Sequence, residues 1–356
     1  MSLTTVSTQA RKTIRYSIYF VIFAIIAKFI IQFGLEFYAR TFPTPPPPPN
    51  HAFGPLPEIS WKNPDNLPTL EYKLETADGS LPSYPNQIQV FRFIKGSVNL
   101  GTIEEAVAKA KSLGFDSTGE EISPTVLRFK SQSRPQTLEL DSVSGIFSIS
   151  YNLIVDPSPV TKIPPAPTTS AVSAKGFLSR AGTVPDDITN GNFTHQFLTI
   201  ENEKLIEVSS LSESKLIKIN LFRKDTSVKV STVAVDLPSV TKNYFEANVW
   251  FYVGSDGVPF AGEYKYYPID KNIIANYPIK NTQDAINELA QGKGYISNLG
   301  ENKDGKITIR KGFLAYFDSE NLSDQFVQPV YVFLGDRNFA AYVPAITNEY
   351  YGQLKK

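Results

Sequence analysis

The most apolar stretch of the chain lies close to its N-terminus, over residues 16–37. As a helix at about 1.5 Å per residue it would cover roughly 33 Å, which matches the hydrocarbon thickness of a bilayer. Three basic residues precede it between positions 11 and 15, and no acidic residue occurs before Glu36. The positive-inside rule therefore predicts a cytoplasmic tail over 1–15, one plasma-membrane span, and an extracytoplasmic location for the bulk that follows. A cleaved signal peptide is the alternative interpretation.

Three polar residues interrupt this stretch at helical spacing. Lys28, Gln32 and Glu36 are four residues apart and would lie on one face of the helix. One interpretation is that this face contacts a partner's transmembrane helix, because polar side chains in lipid usually turn toward protein. The other is that the Lys28 stem extends to carry its ammonium group toward the interface, where Gln32 and Glu36 already lie.

Two proline-rich segments follow the span. The first, 38–57, contains five successive prolines, which favour an extended polyproline II spacer of about 3.1 Å per residue. A docking site for a proline-recognising domain is the alternative. The second segment, 157–169, is predicted to link two folded modules. The predicted boundaries are 58–156 for the first module, 170–346 for a larger module that could hold two repeats, and 347–356 for a C-terminal tail.

Apolar residues recur at helical spacing in three segments of these modules, and each segment ends at a glycine. These segments are 102–114, 282–292 and the weaker 170–182. Runs with strand character follow each of them. Asp256 with Gly257, and the segment 335–338, each separate two apolar runs and predict β-hairpins. The pattern predicts an α+β fold in which short helices lie on antiparallel sheets in repeated modules.

Composition limits the classes of function that the sequence supports. Lysine plus arginine equals aspartate plus glutamate at 35 each, so no global positive field favours nucleic acid. Cysteine is absent, and the two histidines, His51 and His195, lie far apart, so neither thiolate chemistry nor a histidine metal cluster is supported. No G-x-S-x-G elbow or Walker loop occurs. The sequence therefore predicts no catalytic residue, no cofactor and no metal site, and leaves a hydrolase with two carboxylates as the enzymatic alternative.

A tyrosine-rich segment offers a candidate aromatic surface. Tyr264, Tyr266, Tyr267 and Tyr277 lie close together in the sequence and would stack against a sugar or a cell-wall polymer if they were exposed. The alternative is that alternate aromatic residues of a strand pack in the core on one face and form cross-strand pairs on the other.

The C-terminal part of the chain resembles a known family. The stretch YPIKNTQDAINELAQGKGYI, followed by GFLAYFD and QPVYVFLGDRNFAAYVPAI, is similar to the C-terminal unit of the bacterial YycH/YycI regulators and of the wider PepSY-like modules. In those families a helix with alanine and leucine on one face precedes antiparallel strands that end in PVYVF-like and YV-x-A-like runs. The resemblance covers 277–346 and implies an anchored ectodomain of helix-on-sheet units that binds or restrains a partner protein without catalysis.

Three functional hypotheses follow from these observations. The first is a single-pass, membrane-anchored, extracytoplasmic protein that acts as a non-enzymatic interaction or regulatory module of the bacterial cell envelope, with an envelope protein as its partner. The second is a structural or cell-wall- or ligand-binding envelope module, and the third is an envelope hydrolase. None of these hypotheses specifies a homo-oligomer.

Overall fold

The computed structural model describes residues 3–41, 48–94, 96, 102–115, 118–182, 184–230, 233–321 and 323–352, with the backbone alone at 3–14, 36, 39–41, 229–230 and 233. The chain divides into two compact units by its internal contacts. One comprises Met1–Pro48 and Lys229–Ala234, and the other, here called the body, comprises Pro49–Val228 and Val235–Lys356.

The first unit contains one long helix, α1 (Leu3–Thr41), which extends beyond the predicted 16–37 at both ends. Within it Arg15–Leu35 has a mean hydropathy of 2.3 with none of its residues buried, so the helix is long and apolar enough to cross a membrane. Lys28 and Gln32 are exposed on its surface, whereas the side chain of Glu36 lies outside the described residues. The prediction of one N-terminal apolar helix is confirmed.

Of the predicted spacer 38–57, positions 38–41 belong to α1, positions 42–47 lie outside the described residues, and positions 49–57 belong to the body, so the predicted bounds are wrong at both ends. Positions 48–50 have no regular secondary structure. A short two-stranded sheet, formed by β10 (Thr226–Val230) and β11 (Val233–Leu237), stands apart from the two large sheets.

The body contains a nine-stranded sheet in which every neighbouring pair is antiparallel. With strands numbered in chain order, its spatial order is β3 (Glu120–Glu121), β4 (Val126–Lys130), β5 (Gln136–Asp141), β6 (Phe147–Tyr151), β14 (Pro259–Tyr264), β13 (Val249–Val253), β9 (Leu216–Leu221), β7 (Phe193–Glu201) and β8 (Lys204–Val208).

Two helices cover one face of this sheet. Helix α2 (Thr102–Ser112) contacts β5, and α3 (Pro167–Arg180) contacts β9, β13 and β14. Alternate strand positions such as Phe129 and Phe251, both 0% exposed, belong to one apolar cluster with Phe177 of α3, and Phe251 contacts the Phe177 ring directly. This alternation is what a sheet with one helix-covered face requires, and it places one apolar core of the body between the sheet and the helices.

An eight-stranded sheet forms the rest of the body. Its main path is β1 (Glu71–Leu74), β17 (Lys306–Phe317), β18 (Phe326–Gly335), β19 (Phe339–Pro344) and β16 (Tyr295–Asn298); β12 (Ser239–Val240) joins β17, and β2 (Gln87–Phe93) joins β18 and β15 (Ile269–Pro278). The pairs β1–β17 and β12–β17 are parallel, so the prediction of purely antiparallel sheets is wrong here. A one-turn helix, α4 (Asp186–Thr189), follows α3 in the chain, and helix α5 (Thr282–Ala290) contacts β18 and β19.

The predicted division into two modules is also wrong. Strands from both sides of 157–169 share both large sheets, since β6 pairs with β14 and β2 pairs with β15 and β18. The segment itself holds a short 3₁₀ turn, Ser158–Val160, and supplies Pro167 as the first residue of α3. Proline suits the first turn of a helix because its missing N–H would be unpaired there. The segment is therefore an internal connection, and repeated modules are not observed.

The predicted helices and hairpins of the body agree with the structure. The predicted helices 102–114, 170–182 and 282–292 correspond to α2, α3 and α5, and each is followed by a glycine with a positive φ. Asn281 caps α5 by accepting the backbone N–H of Asp284 at 2.7 Å. The two predicted hairpins join β13 to β14 and β18 to β19, with Gly257 at φ 73° in the first and with Arg337 and Asn338 at positive φ in the second.

Candidate functional site

The four tyrosines of the candidate aromatic surface are buried. Tyr264, Tyr266, Tyr267 and Tyr277 are 4%, 8%, 4% and 0% exposed, so they do not form a surface on which a polymer can stack. Tyr264 stacks on Phe147 with 5.1 Å between ring centroids. The core interpretation of this aromatic pattern is the one that fits, because all four side chains are buried and Tyr264 pairs across the strands with Phe147.

The two histidines occupy unrelated places in the body. His51 has a φ of 42° and stacks on Tyr350 with 3.9 Å between ring centroids. His195 lies exposed on β7, with its ring 4.8 Å from that of Phe197. No group of three or more histidine, aspartate or glutamate side chains that could hold a metal ion is found among the described residues.

A groove of about 820 Å³ opens between α2 and the C-terminal end of α3. Lys109 lines it from α2, Arg180 from α3, and the turn between β5 and β6, residues 141–145, from the side. Tyr264 and Tyr266 contribute to its floor. We call this feature the Lys109 groove, and its size lies in the range of small-ligand sites.

Lys109 is the unusual residue of the Lys109 groove. Its Nζ donates to the carbonyl oxygen of Gly145 at 2.8 Å and lies 5.4 and 5.3 Å from the ring centroids of Phe147 and Tyr264. No carboxylate of a described residue lies within ion-pairing distance of it, and burial lowers its pKa to about 8. An ammonium group placed against aromatic rings without a counterion loses hydration that only the cation–π and carbonyl contacts offset.

The nearby carboxylate of Asp141 forms hydrogen bonds to the β5–β6 turn and to Thr125 instead of an ion pair with Lys109. Its Oδ1 accepts the backbone N–H groups of Val143 and Ser144 at 3.1 and 2.7 Å, and its Oδ2 accepts the Thr125 hydroxyl at 2.8 Å. Burial alone would raise the pKa of Asp141, but these hydrogen bonds lower it overall. Asp141 therefore shapes the turn beside the groove and leaves Lys109 without an ion pair.

This arrangement predicts a stability that rises with pH. Lys109 has a folded pKa of about 8 against an ordinary value of 10.5, so the unfolded chain binds its proton more tightly between those two values. The free energy of unfolding of the wild type should therefore rise from pH 8 to pH 10.5 by up to about 3 kcal/mol relative to Lys109→Met. Urea titrations of both proteins at several pH values measure this difference. Parallel pH curves would contradict it.

A second, smaller cleft of about 380 Å³ carries paired charges. Lys265 lies 2.9 Å from Glu263 and 3.1 Å from Glu320, while Lys218 lies 3.2 Å from Glu246. Burial alone would lower the pKa of Lys265, but the two glutamates raise it. The cleft does bring carboxylates together, as the hydrolase alternative requires. Each is already engaged in an ion pair with a lysine, however.

The most buried charge of the body lies where the two large sheets meet. Arg223, 2% exposed in its side chain, donates to Asp318 at 2.8 Å, to Asp187 at 2.9 Å and to the carbonyl oxygen of Tyr267 at 2.6 Å. Its guanidinium carbon lies 3.9 Å from the ring centroid of Tyr266. Burial alone would lower the pKa of Arg223, but the carboxylates raise it above its ordinary value. We call these contacts the Arg223 clamp, and its donors are engaged by protein groups.

Sequence reasoning did not identify Lys109. It lies between Ala106 and Ala110, two buried residues of α2, so a lysine beside the apolar face of a predicted helix was the only signal. No protein-family model matches the chain, and no curated protein or solved structure is detectably similar to it. The resemblance of 277–346 to the YycH/YycI regulators therefore stays a prediction.

Proposed function

We propose that this chain is a single-pass membrane protein that holds its body outside the cytoplasm and acts there by binding another envelope protein, without catalysis. The exposed apolar span Arg15–Leu35 supports the anchor. The basic residues before it support the orientation, with the N-terminus in the cytoplasm. The observation that carries the binding role is the free edge of the nine-stranded sheet.

Strand β8 forms that edge and pairs only with β7 among the described strands. Its consecutive residues Leu205 and Ile206 are 45% and 40% exposed, so apolar side chains are exposed on both faces of the strand. Soluble proteins usually blunt a sheet edge with charges, proline or a covering segment, because an open edge pairs with other chains. An uncovered apolar edge therefore favours a docking role.

The backbone of β8 suits an added strand. Asn202 and Glu203 both have positive φ and form the tight turn that makes Glu201 and Lys204 the last paired residues of the β7–β8 hairpin. In an antiparallel ladder the hydrogen bonds then alternate, so the N–H and C=O groups of Leu205 and Glu207 point away from β7. We propose that an extended segment of the partner protein pairs with these groups, which is the β-augmentation mode of recognition.

The test is crosslinking and mass spectrometry on full-length protein purified in mild detergent from its own membranes. Glu207→Pro removes an N–H that points outward and leaves the β7 hydrogen bonds in place, so it should reduce recovery of the crosslinked partner at least about tenfold. Glu207→Ala, which keeps the N–H, should retain the partner. Equal recovery with both variants would refute docking at β8.

The face formed by Lys28, Gln32 and Glu36 is tested in the same preparation. If this face contacts a partner helix, Lys28→Leu should weaken recovery and remove crosslinks to α1, while crosslinks to the body remain. Unchanged recovery would favour a Lys28 side chain that only extends toward the interface.

A ligand-binding envelope protein is the second candidate, and the Lys109 groove is the observation that favours it. In that case the protein should sediment with cell-wall material, and no protein partner should be crosslinked at β8. The hydrolase alternative has less support, because the carboxylates of the charged cleft are paired with lysines.

A further inference from the structure

We infer that the Lys109 groove is a binding site for a small carboxylate carried on an apolar or aromatic skeleton, with Lys109 as its counterion. This inference does not depend on docking at β8, which lies at the far edge of the same sheet. It rests on the charges that face the groove, on its floor, and on the energetic cost of Lys109.

The charges around the groove leave Lys109 uncompensated. Glu105 lies one turn earlier on α2 and is exposed, while the oxygens of Asp141 are held by the turn and by Thr125. Arg180 adds a second positive charge at the end of α3 without an ion pair to a described residue. An anion bound beside Lys109 would therefore gain a charge-assisted hydrogen bond from an ammonium group that has already lost much of its hydration.

The donors present fit a carboxylate better than a phosphate. Phosphate sites usually combine several backbone N–H groups with basic side chains. Here the N–H groups of Val143 and Ser144, which would be the natural cradle beside Lys109, already donate to Asp141. One recessed ammonium group therefore faces the ligand, with the exposed guanidinium group of Arg180 as the other cation of the lining, and a carboxylate, which does not need a cradle of backbone N–H groups, matches these donors.

Much of the remaining lining of the groove is apolar. Tyr264 and Tyr266 lie in its floor with 5.8 Å between their ring centroids, and Ala106, Val184 and Pro185 line it further. Such a lining favours the planar or aliphatic skeleton of a small ligand. Charge recognition by Lys109 and apolar contact with the tyrosines together define the ligand class.

Binding of an anion should be coupled to the proton on Lys109. The anion favours the ammonium form, so the pKa of Lys109 rises above about 8 in the complex. Affinity is then constant below pH 8 and falls as the pH rises above it. Glu105, Asp141, Arg180, Tyr264 and Tyr266 face Lys109. Carboxylates and guanidinium groups ordinarily do not titrate in this window, and burial raises the pKa of both tyrosines above it.

The experiment is competitive acetylation of the full-length protein in lipid nanodiscs, with the labelling of each lysine read by mass spectrometry as a function of pH. Phenylacetate is the probe, and phenylacetamide is its neutral control. Without probe Lys109 should label with a midpoint near pH 8, below the ordinary value of a lysine. Saturating phenylacetate should reduce Lys109 labelling at pH 8 about fivefold, as a rise of one pKa unit requires. Phenylacetamide should leave it unchanged.

A matched pair of variants separates the site from general effects. Saturation-transfer NMR should detect phenylacetate on the wild type and on Lys111→Met, which removes an exposed lysine of the same helix, but not on Lys109→Met. The inference is overturned if Lys109 labels like an ordinary lysine, if phenylacetamide protects it equally, or if folded Lys109→Met still binds the probe. The wild-type labelling decides the matter even if Lys109→Met fails to fold.

Discussion

Arg223→Met is expected to lower the free energy of unfolding of the body by about 3–5 kcal/mol, because it leaves two carboxylates buried without their counterion. Asp187 and Asp318 are 18% and 11% exposed in their side chains, so water solvates them poorly once the guanidinium group is gone. The loss should appear in urea denaturation of the full-length protein in detergent. The chain has two tryptophans, Trp61 and Trp250, and their fluorescence reports on the transition.

Two controls distinguish the Arg223 clamp from a general effect of losing positive charge. Lys224→Met removes the exposed neighbouring charge and should change the free energy of unfolding by no more than about 0.5 kcal/mol. Adding Asp187→Asn and Asp318→Asn to Arg223→Met should restore much of the loss, since the unpaired charges cause it. If Arg223→Met and Lys224→Met have the same stability, the clamp contributes nothing.

The same titration tests whether the two large sheets unfold together. Trp61 stacks on Tyr295 at 5.1 Å against the eight-stranded sheet, whereas Trp250 lies on β13 of the nine-stranded sheet. Variants that retain only one of these tryptophans should share one urea midpoint in the wild type. In Arg223→Met the two midpoints should separate, because the clamp joins the end of β9 to the end of β17.

Phe251→Ala should cost about 3–5 kcal/mol of unfolding free energy, the usual price of removing a phenyl ring from a closed core. Phe251 is 0% exposed on β13 and meets Phe177 of α3 edge to face, with 5.6 Å between ring centroids. Val172→Ala is the matched control, because Val172 lies on the outer side of α3 and is 71% exposed. It should stay within about 0.5 kcal/mol of the wild type. A small loss for Phe251→Ala would mean that the core closes around the cavity.

Features with local causes could be predicted from the sequence. The turn at Gly257 and the glycine after α5 depend on backbone conformations that neighbouring residues specify, so pattern and turn chemistry were sufficient. The parallel pairing of β1 with β17 joins residues 71–74 to 306–309, and nothing local indicates it. The proline-rich segment 157–169 suggested a domain boundary. Strands before and after it pair with each other at long range, and no local pattern indicates that pairing.

The candidate site was hidden for a related reason. The tyrosine pattern fitted both an exposed aromatic surface and core packing. Contacts with other parts of the chain decide between them, because Tyr264 lies beneath the helices and Tyr277 donates to the carbonyl oxygen of Gly54, 223 residues away. Lys109 occupies a helix position that sequence patterning assigns to solvent. Only the position of the β5–β6 turn and of α3, neither of which follows from α2 itself, turns this lysine into the single recessed cation of a groove.

The beginning of the body, near Leu56, is hydrogen-bonded to residues 350–352, and this has a consequence for biosynthesis. The carbonyl oxygen of Leu56 accepts the N–H of Gly352 at 2.9 Å, and the N–H of Leu56 donates to the carbonyl oxygen of Tyr350 at 2.8 Å. Strand β1 pairs with β17, which lies more than 230 residues later in the chain. Ribosomes deliver the N-terminal end first, so these early segments cannot reach their native partners until residues 306–352 have been made. With the proposed orientation, a long unfolded polypeptide would accumulate beyond the membrane during export. The unfolded polypeptide should therefore be most exposed to proteases, and most dependent on holding chaperones, just before residues 306–352 are made.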